Sequence, residues 1–203
     1  MPAWIEYLAC AVCAISGVLA AEGKRIDLFG AVVLALVTAV GGGTIRDVCL
    51  DTQVFWLKSP GTLLSALLAA LATFMLVRFA RVPGRALLIA DAFGLALFGI
   101  VGTEKALLLG ANGVSAILLG IVTGVAGGIL RDVLRSEIPW VFRAEDHLYA
   151  TTVFFGALVF VLLHHYQPPS ESHRYIGMAV ILLLRLAAMR WNLRLPAFRM
   201  RGS

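Results

Sequence analysis

The sequence predicts an all-α membrane protein with seven transmembrane helices, arranged as two inverted three-helix repeats plus a seventh helix. Three observations predict it. Of the 203 residues, 60% are hydrophobic and 14% charged, where a soluble domain carries about a quarter charged. The apolar residues gather in long runs, and mean hydropathy is +0.90. A block in the first half of the chain returns 85 residues later.

A spanning helix needs roughly 20 mostly apolar residues. Seven runs qualify, at about 4–21, 28–47, 61–78, 86–103, 113–134, 148–165 and 175–191. In lipid the backbone must satisfy its own hydrogen bonds, which leaves helices or a closed barrel. Barrel strands alternate apolar and polar residues over about ten positions, and these runs do not. Helix breakers fall between runs, at Val82 and Pro83 and again at Gln167, Pro168 and Pro169. The start of the chain, from Met1 to Glu6, lacks the basic segment of a signal peptide, so the first run reads as a retained span. One transmembrane domain, 1–203, is expected, with repeat one at about 5–80, repeat two at about 90–165 and the seventh helix at about 175–191.

Net charge is +5. The Lys and Arg residues lie between apolar runs and do not interleave with aromatics, which fits loops at a membrane surface and not a nucleic-acid interface. With the N-terminus outside, the inner side receives Lys24, Arg25, Arg78, Arg81, Arg85, Arg131, Arg135, Arg143, Arg190, Arg194, Arg199 and Arg201. The outer side receives Arg46, Lys58, Lys105 and Arg174, so twelve stand against four, with Arg185 inside the seventh run. This bias predicts an outside N-terminus and a cytoplasmic C-terminus.

Segment 37–48 reads VTAVGGGTIRDV and segment 122–133 reads VTGVAGGILRDV, identical at eight of twelve positions without a gap. The match extends to Glu6 with Asp91, Gly17 with Gly102 and Ala31 with Ala116. Each copy covers three spans. Three is odd, so the second copy enters the membrane from the opposite side. A pseudo-two-fold axis in the membrane plane follows, the plan of many transporters with a site at the repeat interface.

Each repeated block sets glycines deep in an apolar helix: Gly41, Gly42 and Gly43 in the second span, Gly127 and Gly128 in the fifth. An interior glycine costs a helix about 1 kcal/mol against alanine, so a kink or a short unwound stretch is expected. Thr38, Gly42 and Arg46 are spaced by four and share one face, as do Thr123, Gly127 and Arg131. Hydroxyls and freed carbonyls at these positions suit the wall of a narrow wet path, where they replace part of a cation's water shell. Close helix packing through small residues is the competing reading. Duplication of the whole block favours the pathway.

The blocks end in Arg46 with Asp47 and Arg131 with Asp132. Adjacent residues do not face each other on a helix, so each Arg is expected to pair with an acid on another span or with a lipid phosphate. They read either as anchors near the headgroups or as charges at the two mouths, neutralised by Asp47, Asp132 or another acid. Lys105, beside Glu104, reads as a snorkelling residue or a pathway charge. Glu6 and Asp91 begin the first and fourth spans and read as interfacial helix charges or as functional intramembrane acids. Cys10 and Cys13 lie one turn apart without matching ligands and read as small hydrophobes. His164, His165 and His173, with Glu171, read as solvated loop residues. No Ser-His-Asp set, metal cluster or carboxylate pair appears at a suggestive spacing, so no catalytic residue, metal or cofactor is expected.

The duplicated GGGTIRD and AGGILRD blocks on the second and fifth of seven spans resemble the prokaryotic trimeric intracellular cation (TRIC) channel family, also labelled a glycine-transporter domain family. The resemblance runs from about Ile5 to Trp191. It implies homotrimers in the inner membrane, each protomer holding an hourglass pore between kinked second and fifth helices. It also implies passage of monovalent cations, K⁺ with some Na⁺. By position the kinks fall at Gly41, Gly42, Gly43, Gly127 and Gly128, and the pore polar groups at Thr38 and Thr123. The Lys-Glu-Val motif of the animal members is absent from this sequence, so the resemblance carries over neither phosphoinositide binding nor a calcium-store role. A secondary transporter of a small solute such as glycine is the alternative, since broken helices and inverted repeats serve both. A scaffold that passes nothing is the third reading.

Overall fold

In the computed structural model, residues 2–80, 83–143, 148–168 and 170–193 are described. Arg81, Arg194, Arg199 and Arg201 of the charge pattern, with Val82 and Pro169 of the breaker pairs, lie outside them.

The described residues form eight α-helices and no strand. They are α1 (Ala3–Ala20), α2 (Leu28–Cys49), α3 (Phe55–Lys58), α4 (Pro60–Phe79), α5 (Ala86–Leu108), α6 (Gly113–Leu134), α7 (Ala150–Tyr166) and α8 (Glu171–Trp191). A single 3₁₀ turn, Trp140–Phe142, follows α6. Six helices are long and apolar enough to cross a bilayer: α1, α2, α4, α5, α6 and α8. The sixth expected span is α7, apolar but only 17 residues long. The short α3 was not anticipated; Pro60 at the first turn of α4 ends it.

The chemistry of the helix ends is duplicated at the 85-residue offset. Asp27 caps α2 by accepting from the Gly30 amide at 2.8 Å, and Asn112 caps α6 by accepting from the Ser115 amide at 2.9 Å. Both helices end in a Schellman turn. At α2 the Thr52 amide donates to the Asp47 carbonyl at 3.0 Å around Asp51, φ 50°. At α6 the Glu137 amide donates to the Asp132 carbonyl at 2.9 Å around Ser136, φ 58°.

Helices α2 and α6 pack together, α1 lies against α2, α4 and α5, and α5 packs on α6 and α8. The core is mostly small: Ala9, Ala14, Ala35, Ala66, Ala70 and Ala96 are buried, with Ile5, Leu95, Ile100 and Phe160 filling between helices. Small contact residues let backbones approach, which suits association in lipid, where apolar side chains gain nothing by leaving the solvent. Large apolar side chains such as Phe29, Leu68, Phe79 and Leu118 point outward, the reverse of a soluble surface.

Candidate functional site

The α2–α6 contact is built on the two glycine stripes. Gly42 lies so close to the Thr123 carbonyl that a β-carbon there would overlap it, and Gly127 lies equally close to the Thr38 carbonyl. The relation is reciprocal, since Thr38 and Thr123, like Gly42 and Gly127, are one repeat apart. Gly41 borders Leu130 and Gly127, Gly43 lies under the Phe55 ring, and Gly128 under the Tyr149 hydroxyl.

Both helices run through their glycines as continuous α-helix, so the expected unwound stretch is absent. Intimate backbone packing compensates the propensity cost of the glycines. The Thr38 hydroxyl donates to the Leu34 carbonyl at 2.6 Å and the Thr123 hydroxyl to the Leu119 carbonyl at 2.5 Å. Such back-bonds bend helices slightly without breaking them. Gly17 and Gly102, also one repeat apart, sit against these same two hydroxyls from α1 and α5. In this conformation the crossing is closed, and its glycines act as packing surfaces.

A charged cluster stands at the C-terminal end of each stripe. In the first, Arg46 Nε donates to Asp47 Oδ1 at 2.7 Å, and Lys105 Nζ reaches the same oxygen from α5 at 2.7 Å. The Phe55 amide donates to Asp47 Oδ2 at 2.8 Å, and the Arg46 guanidinium lies 5.3 Å from the Phe55 ring centre. Arg46 is fully enclosed, yet its two terminal nitrogens have no hydrogen-bond partner among the described residues.

The second cluster repeats this plan and adds to it. Arg131 Nε donates to Asp132 Oδ1 at 2.8 Å, the Trp140 amide donates to Asp132 Oδ2 at 3.2 Å, and the guanidinium lies 4.6 Å from the Trp140 ring centre. A second carboxylate joins: Arg131 Nη1 donates to Asp91 Oδ1 at 2.8 Å, and the Tyr149 hydroxyl donates to that oxygen at 3.1 Å. Ser16 Oγ from α1 is 3.5 Å from Arg131 Nη1, and Arg185 of α8 lies 4.7 Å from the Tyr149 ring centre.

The expectation that adjacent Arg and Asp would not pair is corrected in both clusters. Each pair closes the last turn of its helix. The chain folding back after that turn presents an amide, from Phe55 or Trp140, to the second carboxylate oxygen. That bond holds the carboxylate inward, where the long Arg side chain reaches it. Neither Arg is a headgroup anchor, since both are completely buried. Asp91 is the acid from another span expected for Arg131; among the described residues Arg46 has none.

A cavity of about 610 Å³ opens beside the Arg46 cluster, and its wall includes Glu6, Phe55, Lys58 and Lys105. Lys105 borders this cavity while it pairs with Asp47. Of the histidines, His173 is buried and His164 stacks on Phe160 with ring centres 6.0 Å apart. Among the described residues no group of three or more His, Cys, Asp or Glu side chains gathers to hold a metal.

The model of a family described as "Glycine transporter" matches residues 3–78 and 88–165. The TRIC trimeric intracellular cation channel orthologue of Rhodobacter sphaeroides superimposes with a TM-score of 0.87 at 39% identity, over 94% of this chain and 98% of that one. The chain belongs to the TRIC family. A second TRIC cation-channel structure, solved for the basis of conductance, gives a TM-score of 0.87 at 32% identity over all of both chains. The UPF0126 inner membrane protein YadS of Escherichia coli K12 is 46% identical over 96% of this chain and 95% of its own length. With its apolar helices, the TRIC fold makes this chain an integral membrane protein.

Within that TRIC fold, several site residues escaped the sequence reading. Phe55 and Trp140 lie one repeat apart, and the offset alone would have picked them out. Tyr149 has Leu64 at its repeat position, so no sequence signal marked it. The Arg174–Glu104 pair, bidentate at 2.8 and 2.6 Å, ties α8 to α5 and has no counterpart in the other copy.

Proposed function

We propose that the chain is a passive cation channel for K⁺ and, less well, Na⁺, acting as a homotrimer with one pore in each protomer between α2 and α6. Kinship to TRIC proteins, among them the trimeric intracellular cation channel orthologue of Rhodobacter sphaeroides, supports the cation-channel reading. The observation that carries the pore assignment is the reciprocal seating of Gly42 on the Thr123 carbonyl and Gly127 on the Thr38 carbonyl. Reciprocal contacts are what a two-fold axis generates. They support two inverted three-helix repeats, with α8 as the additional seventh span and α3 a linker turn.

The crossing is the closed neck of an hourglass. No side chains interlock where glycine meets carbonyl, so a small separation of α2 and α6 releases it. Separation turns the Thr38 and Thr123 carbonyls toward the gap, where they replace part of a cation's hydration shell. Asp47 offsets Arg46, and Asp132 with Asp91 offsets Arg131, which lowers the positive charge flanking the path. The chain resides in a prokaryotic inner membrane with the N-terminus outside, which puts the Arg46 cluster and its cavity outside and the Arg131 cluster at the cytoplasmic mouth. Membrane lipids cover the outward apolar side chains.

Carriage of a small solute such as glycine is the second reading. It is favoured by the asymmetry between a second carboxylate on Arg131 and a cavity beside Arg46, since carriers open to one side at a time. Reconstituted protein in planar bilayers separates the two. Discrete K⁺ current steps that vanish in Gly42→Leu with Gly127→Leu support the channel. Saturable solute uptake without steps supports the carrier.

A further inference from the structure

The two repeats hold equivalent charged clusters with different partners. Asp91 and Glu6 occupy the same repeat position, at the starts of α5 and α1. Asp91 is engaged with Arg131 at 2.8 Å. By the same offset the partner of Glu6 is Arg46, and that pair is not made. Glu6 makes no hydrogen bond or ion pair among the described residues and lines the 610 Å³ cavity together with Phe55, the ring under Arg46. Arg46 is enclosed, and among the described residues both its terminal guanidinium nitrogens lack a hydrogen-bond partner, an arrangement that costs free energy unless a partner arrives. Helices α1 and α2, which carry Glu6 and Arg46, pack together, and Cys10 Sγ, one turn beyond Glu6, lies 3.9 Å from the Ala39 carbonyl of α2.

We infer that Glu6 is a gating residue: its carboxylate moves onto the free face of Arg46 and closes the mouth that the cavity now holds open. The Arg131–Asp91 contact shows what the closed form of such a gate looks like in this chain. The two gates differ in strength. Asp91 is braced by the Tyr149 hydroxyl at 3.1 Å, whereas Leu64 stands at the matching position of the first repeat and offers Glu6 no hydrogen bond. Lys105 also shares Asp47 with Arg46, leaving two cations on one carboxylate, a surplus that draws Glu6 inward. The Glu6 gate is therefore the weaker and more mobile of the two.

This inference rests on the channel reading and deepens it. The test is single-channel recording of the purified, reconstituted protein in symmetrical KCl. Glu6→Gln is expected to lengthen the mean open time at least threefold with unitary conductance unchanged. Glu6→Asp, which keeps the charge on a shorter arm, is expected to fall between the two. In an Arg46→Gln background, where Asp47 keeps Lys105 and the Phe55 amide, Glu6→Gln is expected to add nothing. If Arg46→Gln does not elute as a single species, Arg46→Lys takes its place, and there Glu6→Gln should still lengthen openings. Unchanged open times in Glu6→Gln would overturn the inference, as would a lower conductance with unchanged open times, which would make Glu6 an ion-attracting charge only. An undiminished Glu6→Gln effect in Arg46→Gln would also overturn it, by pointing to Lys58 or Lys105 as the partner. Wild-type protein that passes no K⁺ current removes the channel reading and this gate with it, whereas normal currents with unaltered gating remove the gate alone.

Discussion

Gly42 of α2 rests on the backbone carbonyl of Thr123 in α6, with no room for a β-carbon between them. Gly42→Ala must therefore push the helices apart or bend one of them. Overpacking of this kind costs about 1–3 kcal/mol, offset in part by the roughly 1 kcal/mol that alanine returns in helix propensity. The same change at Gly41 meets only the flexible end of Leu130 and should be close to neutral. Thermal unfolding in detergent is expected to place Gly42→Ala and Gly127→Ala below wild type and Gly41→Ala near it. Equal melting temperatures for all three would show that the crossing is looser than described.

The two clusters should answer differently to loss of a carboxylate. Asp91→Asn strips one of two acids from Arg131, which is wholly buried. Breaking a buried pair costs about 3–5 kcal/mol, and the remaining Asp132 holds the loss to the lower end. Glu6→Gln breaks no contact and should leave the melting temperature unchanged. Matched losses in the two variants would mean that Glu6 is already paired in solution.

Much of this fold was legible in the chain, and the limits were physical. Apolar runs close to the length a bilayer needs give helices whatever their neighbours, so six candidate spans follow from length and hydropathy alone. The repeat offset located both glycine stripes and both Arg-Asp pairs. What one sequence could not reveal is which of two equivalent residues is engaged: Glu6 and Asp91 hold the same place in the pattern, and only tertiary packing distinguishes them. Nor could helical periodicity foresee the Arg46–Asp47 contact. The rule that neighbours diverge holds for side chains left to themselves, and here the amide of Phe55 fixes the carboxylate from outside the helix.

Both Schellman turns place a residue with a β-carbon where glycine is usual. Ser136 sits at φ 58° and Asp51 at φ 50°. The left-handed region costs an L-residue about 1–2 kcal/mol, less for Asp, whose short polar side chain bonds locally. Ser136→Gly should raise stability by about 0.5–1 kcal/mol once the added freedom of the unfolded glycine is deducted, and Asp51→Gly should gain less. A melting temperature that falls in Ser136→Gly would indicate that the serine side chain has a role at the turn beyond its backbone shape.

A strap outside the spans joins the two repeats. Lys24, in the turn after α1, lies 2.9 Å from Glu137, in the turn after α6, and Arg143 lies 3.2 Å from the same carboxylate. The hydrogen bond from Lys24 and the nearby charges of Lys24, Arg135 and Arg143 hold the Glu137 carboxyl below its ordinary value of 4.5. A carboxyl lowered by folding stabilises the folded state fully above the unfolded value, and that stabilisation is lost as pH falls through the folded one. Acidification from the ordinary value downward should therefore weaken the strap, and Glu137→Gln should remove this part of the acid sensitivity. Both partners are partly exposed, so the effect is small and salt screens it. Melting curves recorded against pH at low ionic strength are expected to converge for wild type and Glu137→Gln in acid and to separate, wild type higher, near neutrality. Curves that stay parallel throughout would mean that the Lys24 contact carries no stability and that the two turns are held by their helices alone.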